Sequence, residues 1–310
     1  MRPETFLERL KDRIKGRQGW RLYPFEDDDQ LPPSKRHPLK HAMMADEKKV
    51  FYLPIAKNAC SSLKTLIAEL GGMPKLKSDE DIHAILDSKP NNLMLLHRNE
   101  SDIQVMLSDP SWMRFAVLRD PYDRLVSLYV EKFVRHRTQP GVRIDIDPVL
   151  KRSLNKNKLT KADYERGVSF LTFAQDLMSE PAKRLNPHWR PQSLYLDRIR
   201  YTHLYTVDSL SVLKQDIERH VGHEIQLPYK NAVRTQKPID HEKPCVTDFL
   251  PAEIENAERL PVECYIDRDL RAALNGYFAL DETLYNLVSQ LNQQLQTGSM
   301  LPGQVMSAKR

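Results

Sequence analysis

Two short stretches constrain the fold more than anything else in this chain: Leu53-Pro-Ile-Ala-Lys-Asn-Ala-Cys-Ser-Ser-Leu-Lys64 and Phe115-Ala-Val-Leu-Arg-Asp-Pro-Tyr-Asp-Arg-Leu-Val-Ser127. Each reads as a buried strand that runs into a polar turn and then a helix. Each turn carries a cation and hydroxyl groups near the helix start, where backbone N–H groups and the helix dipole favour an anion. Two phosphate-sized anion sites on strand–helix units point to a ligand with phosphates at two places. A nucleotide phosphorylated on both sides of its ribose meets that description.

The rest of the chain is read around these units. Val50–Ile55 is expected as a strand, and Ser61–Leu70 as a helix stopped by Gly71-Gly72. Leu93–Leu96 is a second apolar run, followed at once by His97, and Met113–Leu118 is a third. The helix after Arg119-Asp120 has Pro121 in its first turn. Tyr122, Leu125, Val126, Tyr129 and Phe133 lie on one of its faces, and Asp123, Arg124, Ser127 and Glu131 on the other. Further helices are expected at Phe170–Met178, Leu210–Val221 and Tyr265–Leu274, a strand at Arg200–Val207, and a polar, basic loop over Thr138–Thr160. Short strands alternating with helices predict an α/β fold with a mostly parallel central sheet and helical additions. Three segments follow: a basic N-terminal helix and extended connection over 1–48, one domain over 49–296, and a disordered tail over 297–310.

Composition narrows the partners only in part. With 310 residues the chain can bury a sizeable core, and its net charge of +5 suits anionic ligands in general. Cys60, Cys245 and Cys264 have no paired spacing, which argues against a disulfide framework or a zinc site and for a reducing compartment. No apolar run approaches the ~20 residues of a membrane span, and the first residues carry no signal-peptide core. A cytoplasmic protein is expected, with no metal. Residues 1–20 form a basic amphipathic pattern, with Phe6, Leu7, Leu10 and Ile14 on one stripe, expected to dock on the main domain.

In the first turn, Asn58, Ala59, Cys60, Ser61, Ser62 and Leu63 supply N–H groups and hydroxyls, and Lys57 supplies charge. This is not a Walker A loop, because no glycine pair is present and the lysine precedes the small-residue turn. Ser61 could equally be a plain helix cap. In the second turn, Arg119 ends a strand and could clamp the same phosphate as Ser127, since guanidinium suits bidentate phosphate recognition. Arg124 reads equally well as a phosphate ligand or as a structural residue near Glu131.

Together these segments resemble the Golgi-type carbohydrate sulfotransferases. Lys57–Lys64 is similar to their 5′-phosphosulfate loop, and Arg-Asp-Pro-x-x-Arg-Leu-x-Ser-x-Tyr over residues 119–129 to their 3′-phosphate motif. Asn186-Pro-His-Trp-Arg-Pro-Gln192 is similar to their His-Trp-x-Pro-Gln segment. Weaker echoes are Leu227–Ala232 and Tyr277–Tyr285. The resemblance implies a P-loop-kinase-like three-layer core and a sulfate donor, 3′-phosphoadenosine 5′-phosphosulfate. It implies that residues 57–63 hold the phosphosulfate, that Arg119 and Ser127 hold the 3′-phosphate, and that the acceptor is a hydroxyl, commonly on a sugar. Two departures stand out: Leu63 replaces a tryptophan found in many relatives, and the chain lacks their N-terminal anchor, which suggests a soluble member.

In such a transfer Lys57 would face the oxygen of the departing nucleotide, where negative charge develops. The acceptor hydroxyl needs a base, and His97 and His188 are the candidates. His97 ends an apolar run of the core, which favours it as the base; His188 stands beside Trp189, which could stack on a sugar. Lys151, Arg152, Lys156 and Lys158 could grip an acidic glycan, or simply be solvated. Competing classes are a glycan- or nucleic-acid-binding protein with a relict nucleotide site, and a nucleotide kinase. Intact Lys57, Arg119 and Ser127 argue against the first, and the missing glycines against the second.

Overall fold

The computed structural model describes residues 32, 35, 37–77, 80–88, 90–196, 199–228, 245–254 and 260–297. The expected N-terminal helix over 1–20 and all but the first residue of the expected tail lie outside them, as does most of the Leu227–Ala232 echo. The chain divides into two compact units. The first takes Met1–Arg119, Gln192–Asn231 and Thr283–Arg310, and the second takes Asp120–Pro191 and Ala232–Glu282.

The first unit is built on four strands, β1 (Met43–Ala45), β2 (Val50–Leu53), β3 (Met113–Leu118) and β4 (His203–Thr206), in the order β1-β2-β3-β4. β1 pairs antiparallel with β2; β2 with β3 and β3 with β4 are parallel. All residues of β2 and β3 are buried. That is why these two strands read as unbroken apolar runs and not as alternation. Tyr52, paired with Phe115, stacks on it at 5.0 Å between ring centroids, and Tyr205 of β4 meets Phe115 edge-on at 6.2 Å.

The helices of this unit are α1 (Cys60–Leu70), α2 (Ile82–Ser88) and α3 (Glu100–Ser108), with α8 (Ser193–Leu196) and α9 (Leu210–Val221) further along. Leu63, Leu66 and Ile67 of α1, Ile82 and Leu86 of α2, and Leu213 and Ile217 of α9 share one apolar core with the sheet. The architecture is therefore mixed α/β with a mostly parallel sheet.

The second unit is helical. It holds α4 (Pro121–Tyr129), which continues into a π-helical turn over Val130–Arg135, then α5 (Pro140–Leu154), α6 (Lys161–Arg166), α7 (Phe170–Ser179) and α10 (Val262–Tyr265). The last helix, α11 (Arg268–Gln296), contributes its residues 268–282 here and the remainder to the first unit. The core of the second unit is aromatic: Tyr129, Phe133, Phe170, Phe173, Trp189 and Tyr265 are all buried in one cluster. The Tyr129 hydroxyl donates to the Val168 carbonyl, so its polar end is satisfied inside that core.

Several expectations need correction. Leu93–Leu96 is not a sheet strand but a single bridge, Met43 to Met94, followed by a 3-10 turn over Leu95–His97. Asn91 is the reason: its Oδ1 accepts the N–H groups of both Leu93 and Met94 and removes them from any ladder. Residues 140–154 of the expected loop form α5, with Ile146, Val149 and Leu150 buried. Only three of the apolar residues in this polar stretch are buried, and these sit at helical spacing. The helix expected over Tyr265–Leu274 is broken at Ile266-Asp267, where Asp267 Oδ1 accepts the Leu270 N–H and starts α11 anew. The sheet also begins earlier than the expected domain, at Met43, inside the segment read as an extended connection.

Candidate functional site

The turn after β2 has an uncommon backbone. Lys57 and Ala59 both have positive φ, 70° and 58°, on either side of Asn58. Alternation of this kind turns successive N–H groups toward one side and makes a concavity suited to an anion. Ala59 is the residue before α1 and provides no side-chain cap. Ser61 and Ser62 stand in the first turn of α1. Ser61 is therefore not the N-cap. Its Oγ lies 3.0 Å from His83 Nε2, and His83 Nδ1 lies 3.2 Å from Lys64 Nζ. Burial pushes the Lys64 ammonium below its usual range.

Asn58 holds the turn in place. It is fully buried, and its Nδ2 donates to the Val117 carbonyl at 2.8 Å and to Gln192 Oε1. Gln192 also takes the Arg119 N–H at 3.1 Å and gives its own Nε2–H to the Arg119 carbonyl at 2.8 Å. The Arg119 guanidinium donates to the Lys57 carbonyl at 3.1 Å. Asn58 and Arg119 are thus joined by one amide side chain, and the Arg119 guanidinium adds Lys57. Gln192 was quoted only as the end of a motif; the signal was there, but its role needs the fold.

The second turn differs from expectation. Asp120 caps α4: its Oδ1 accepts the N–H groups of Tyr122 and Asp123, at 3.0 and 2.9 Å, with Pro121 at the first position. A carboxylate already occupies this helix start, so the anion-binding role expected of its backbone N–H groups is corrected. Arg119 belongs to the first unit, and Ser127, on α4, to the second. Burial raises the Asp120 carboxyl, against the two backbone hydrogen bonds that lower it.

In the second unit Arg124 is 2% exposed and donates to the carbonyls of Arg190 and His188, at 3.0 and 2.9 Å. Of its two readings, the structural one fits these contacts. His188 Nδ1 lies 2.8 Å from Asn186 Oδ1 and 3.3 Å from Asp145 Oδ1. Asp145 in turn takes Lys132 Nζ at 2.6 Å and Asn186 Nδ2 at 3.0 Å. Burial raises the Asp145 carboxyl, but hydrogen bonds and charge from His188, with hydrogen bonds from Lys132 and Asn186, outweigh it and hold it well below the carboxylate range. Trp189 is buried against Phe133 and Phe173, so the expectation that it stacks on a sugar is overturned. His97 is exposed in its 3-10 turn, and its ring has no hydrogen bond among the described residues.

The basic run is partly neutralised. Arg152 pairs with Asp176 at 2.7 Å and Lys156 with Asp163 at 2.6 Å, while Lys151 and Lys158 are exposed. Among the described residues no group of His, Cys, Asp and Glu could hold a metal ion, and no helix is long and apolar enough to cross a membrane.

A mostly parallel sheet with a left-handed turn after β2 and an arginine after β3, fastened by Gln192, defines an α/β protein. The sequence model of the sulfotransferase family matches residues 40–287, and the chain belongs to that family. It is similar to carbohydrate sulfotransferase 14 of Mus musculus, at 26% identity over 61% of this chain and 47% of that protein. It is also similar to carbohydrate sulfotransferase 11 of Danio rerio, at 28% identity over 49% and 44%, and to carbohydrate sulfotransferase 10 of Homo sapiens, at 26% over 47% and 40%. The chain spans about half the length of the curated relatives it matches. No solved structure matches it significantly.

Proposed function

We propose that this chain moves a sulfuryl group from 3′-phosphoadenosine 5′-phosphosulfate to a hydroxyl group of a carbohydrate. The observation that carries the reading is the turn at Lys57–Ala59, with its two left-handed residues, its lysine and the serines that follow in α1. Family membership supplies the reaction class, and the carbohydrate acceptor follows the names of the relatives. The residues fit the donor chemically: backbone N–H groups and the hydroxyls of Ser61 and Ser62 suit the phosphosulfate, and the Arg119 guanidinium suits the 3′-phosphate.

Residues 57–63 hold and orient the phosphosulfate. The acceptor oxygen forms its bond to sulfur as the bond to the nucleotide's phosphate oxygen breaks. Lys57 meets the charge left on that oxygen, an interaction stronger in the transition state than in the ground state. The acceptor's proton passes to a histidine. His188 suits this better than His97, because acceptor groups at its Nδ1 leave Nε2 as the basic nitrogen.

Calorimetry with 3′,5′-adenosine bisphosphate in the absence of magnesium tests the donor half, and sub-millimolar affinity is expected. Labelled-sulfate transfer to a panel of unsulfated oligosaccharides, phenols and alcohols tests the other half. Binding without any transfer would return the chain to the class of binding proteins with a relict site, and strict dependence on magnesium would favour a kinase.

A further inference from the structure

We infer that Asp145, together with Asn186, is a positioning residue that holds His188 in the one tautomer able to take a proton at Nε2. The inference rests on the transferase reading above and assigns the base within it.

Donors and acceptors around the ring decide its tautomer. His188 Nδ1 faces two oxygens, Asn186 Oδ1 at 2.8 Å and Asp145 Oδ1 at 3.3 Å. Asn186 Oδ1 is the oxygen end of that amide, because its Nδ2 is engaged by Asp145 Oδ1 at 3.0 Å and the His188 backbone N–H also points at Oδ1, at 2.9 Å. Both neighbours of Nδ1 are therefore acceptors, so Nδ1 must carry the hydrogen, and in the neutral ring Nε2 has the lone pair. The carboxylate is itself fixed. Lys132 Nζ binds its other oxygen at 2.6 Å, and both side chains are largely buried, at 8% and 15% exposure.

The backbone of His188 is held as firmly as its ring. Buried Arg124 donates to the His188 carbonyl, while the Asn186 oxygen takes its N–H. The side chain is 37% exposed, so Nε2 is reachable. Proton uptake there makes an imidazolium whose charge faces Asp145, with Lys132 and Arg124 the cations nearby. Transfer moves one proton from the acceptor hydroxyl to Nε2 while the acceptor oxygen bonds to sulfur, and solvent later takes that proton from the ring.

The test has a spectroscopic arm and a kinetic arm. In nitrogen-15 spectra of histidine-labelled protein at pH 8, His188 should be the Nδ1–H tautomer, and Asn186→Ala or Asp145→Asn should erode that preference. In sulfate transfer from 3′-phosphoadenosine 5′-phosphosulfate to the pooled unsulfated oligosaccharides, both variants should lose about tenfold or more in turnover. Calorimetric affinity for 3′,5′-adenosine bisphosphate should stay within about twofold. Neither substitution should cost anything further in a His188→Ala background. Asn186→Ala leaves the Lys132–Asp145 pair intact, so it serves should Asp145→Asn fold poorly. An Nε2–H tautomer in the parent, or variants with parental turnover, overturns the assignment. A parent that transfers no sulfate to any acceptor overturns the transferase reading and the base role with it, and is recognised from the parent alone.

Discussion

At the scale of single residues, the two cations of the anion turns have separable duties. Arg119 is fastened at its backbone by Gln192, and its guanidinium already reaches the Lys57 carbonyl. Arg119→Ala should abolish calorimetric binding of 3′,5′-adenosine bisphosphate, a loss of about 2–3 kcal/mol or more for a charge-assisted contact, with the thermal unfolding midpoint little changed. A variant that binds as the parent does would remove Arg119 from the site. Lys57→Ala should lower turnover more than affinity for the desulfated nucleotide, because its charge is needed most where the leaving oxygen becomes negative. Equal losses in the two measurements would make it a binding residue only. Lys57 and Arg119 could be found from sequence because each stands beside an apolar run. Gln192 and Asp145 could not: an amide or carboxylate reveals a positioning role only through the partners that folding brings to it.

At the scale of elements, apolar pattern was a good guide where burial is two-sided and a poor one where it is thin. β3 and α9 fall where their patterns place them, at Met113–Leu118 and Leu210–Val221. The bridge at Met94 imitated a strand because four apolar residues in a row look alike whether they make one hydrogen-bonded rung or many. α5 went unread because one narrow stripe anchors it. Ile146 at its centre is wholly buried, so Ile146→Ala should cost about 2–4 kcal/mol in chemical denaturation. A position in a solvated loop would cost within about 0.5 kcal/mol, and that result would remove α5 from the core. The two helix starts differ in the residue before the helix: Asp120 caps α4 with its carboxylate, and Ala59, before α1, has no side chain to do so.

At the scale of the whole molecule, carboxylates bound tightly in the folded state set the response to acid. Hydrogen bonds from Ser111 and Lys49 hold Asp109 at about 2, and those from Lys156 and Thr160 hold Asp163 at about 2. Asp145 is depressed as well. Folded values below the unfolded ones mean that the stabilisation is complete above the ordinary carboxylate range of about 4 and is lost as pH falls through the folded values. The melting temperature should therefore be level from pH 7 to about 5 and fall steeply between about 4 and 2. A midpoint that stays constant down to pH 2 would show that these contacts contribute nothing to folding. One member of this set lies in the first unit and two in the second, so acid should weaken both.

The Gln192 side chain, gripping the Arg119 backbone from both sides, also bears on how this architecture can change over time. The polypeptide leaves the first unit at Arg119 and re-enters it at Gln192, and these two residues are each other's hydrogen-bond partners. Everything between them is an excursion that starts and finishes at the same clasp. Closing a longer excursion costs little more than closing a short one, since the entropy grows only with the logarithm of length. Insertions and deletions can therefore accumulate in the exposed connections of 120–191, away from its aromatic core and from Ser127, Asp145, Asn186 and His188, while β3 and β4 keep their register.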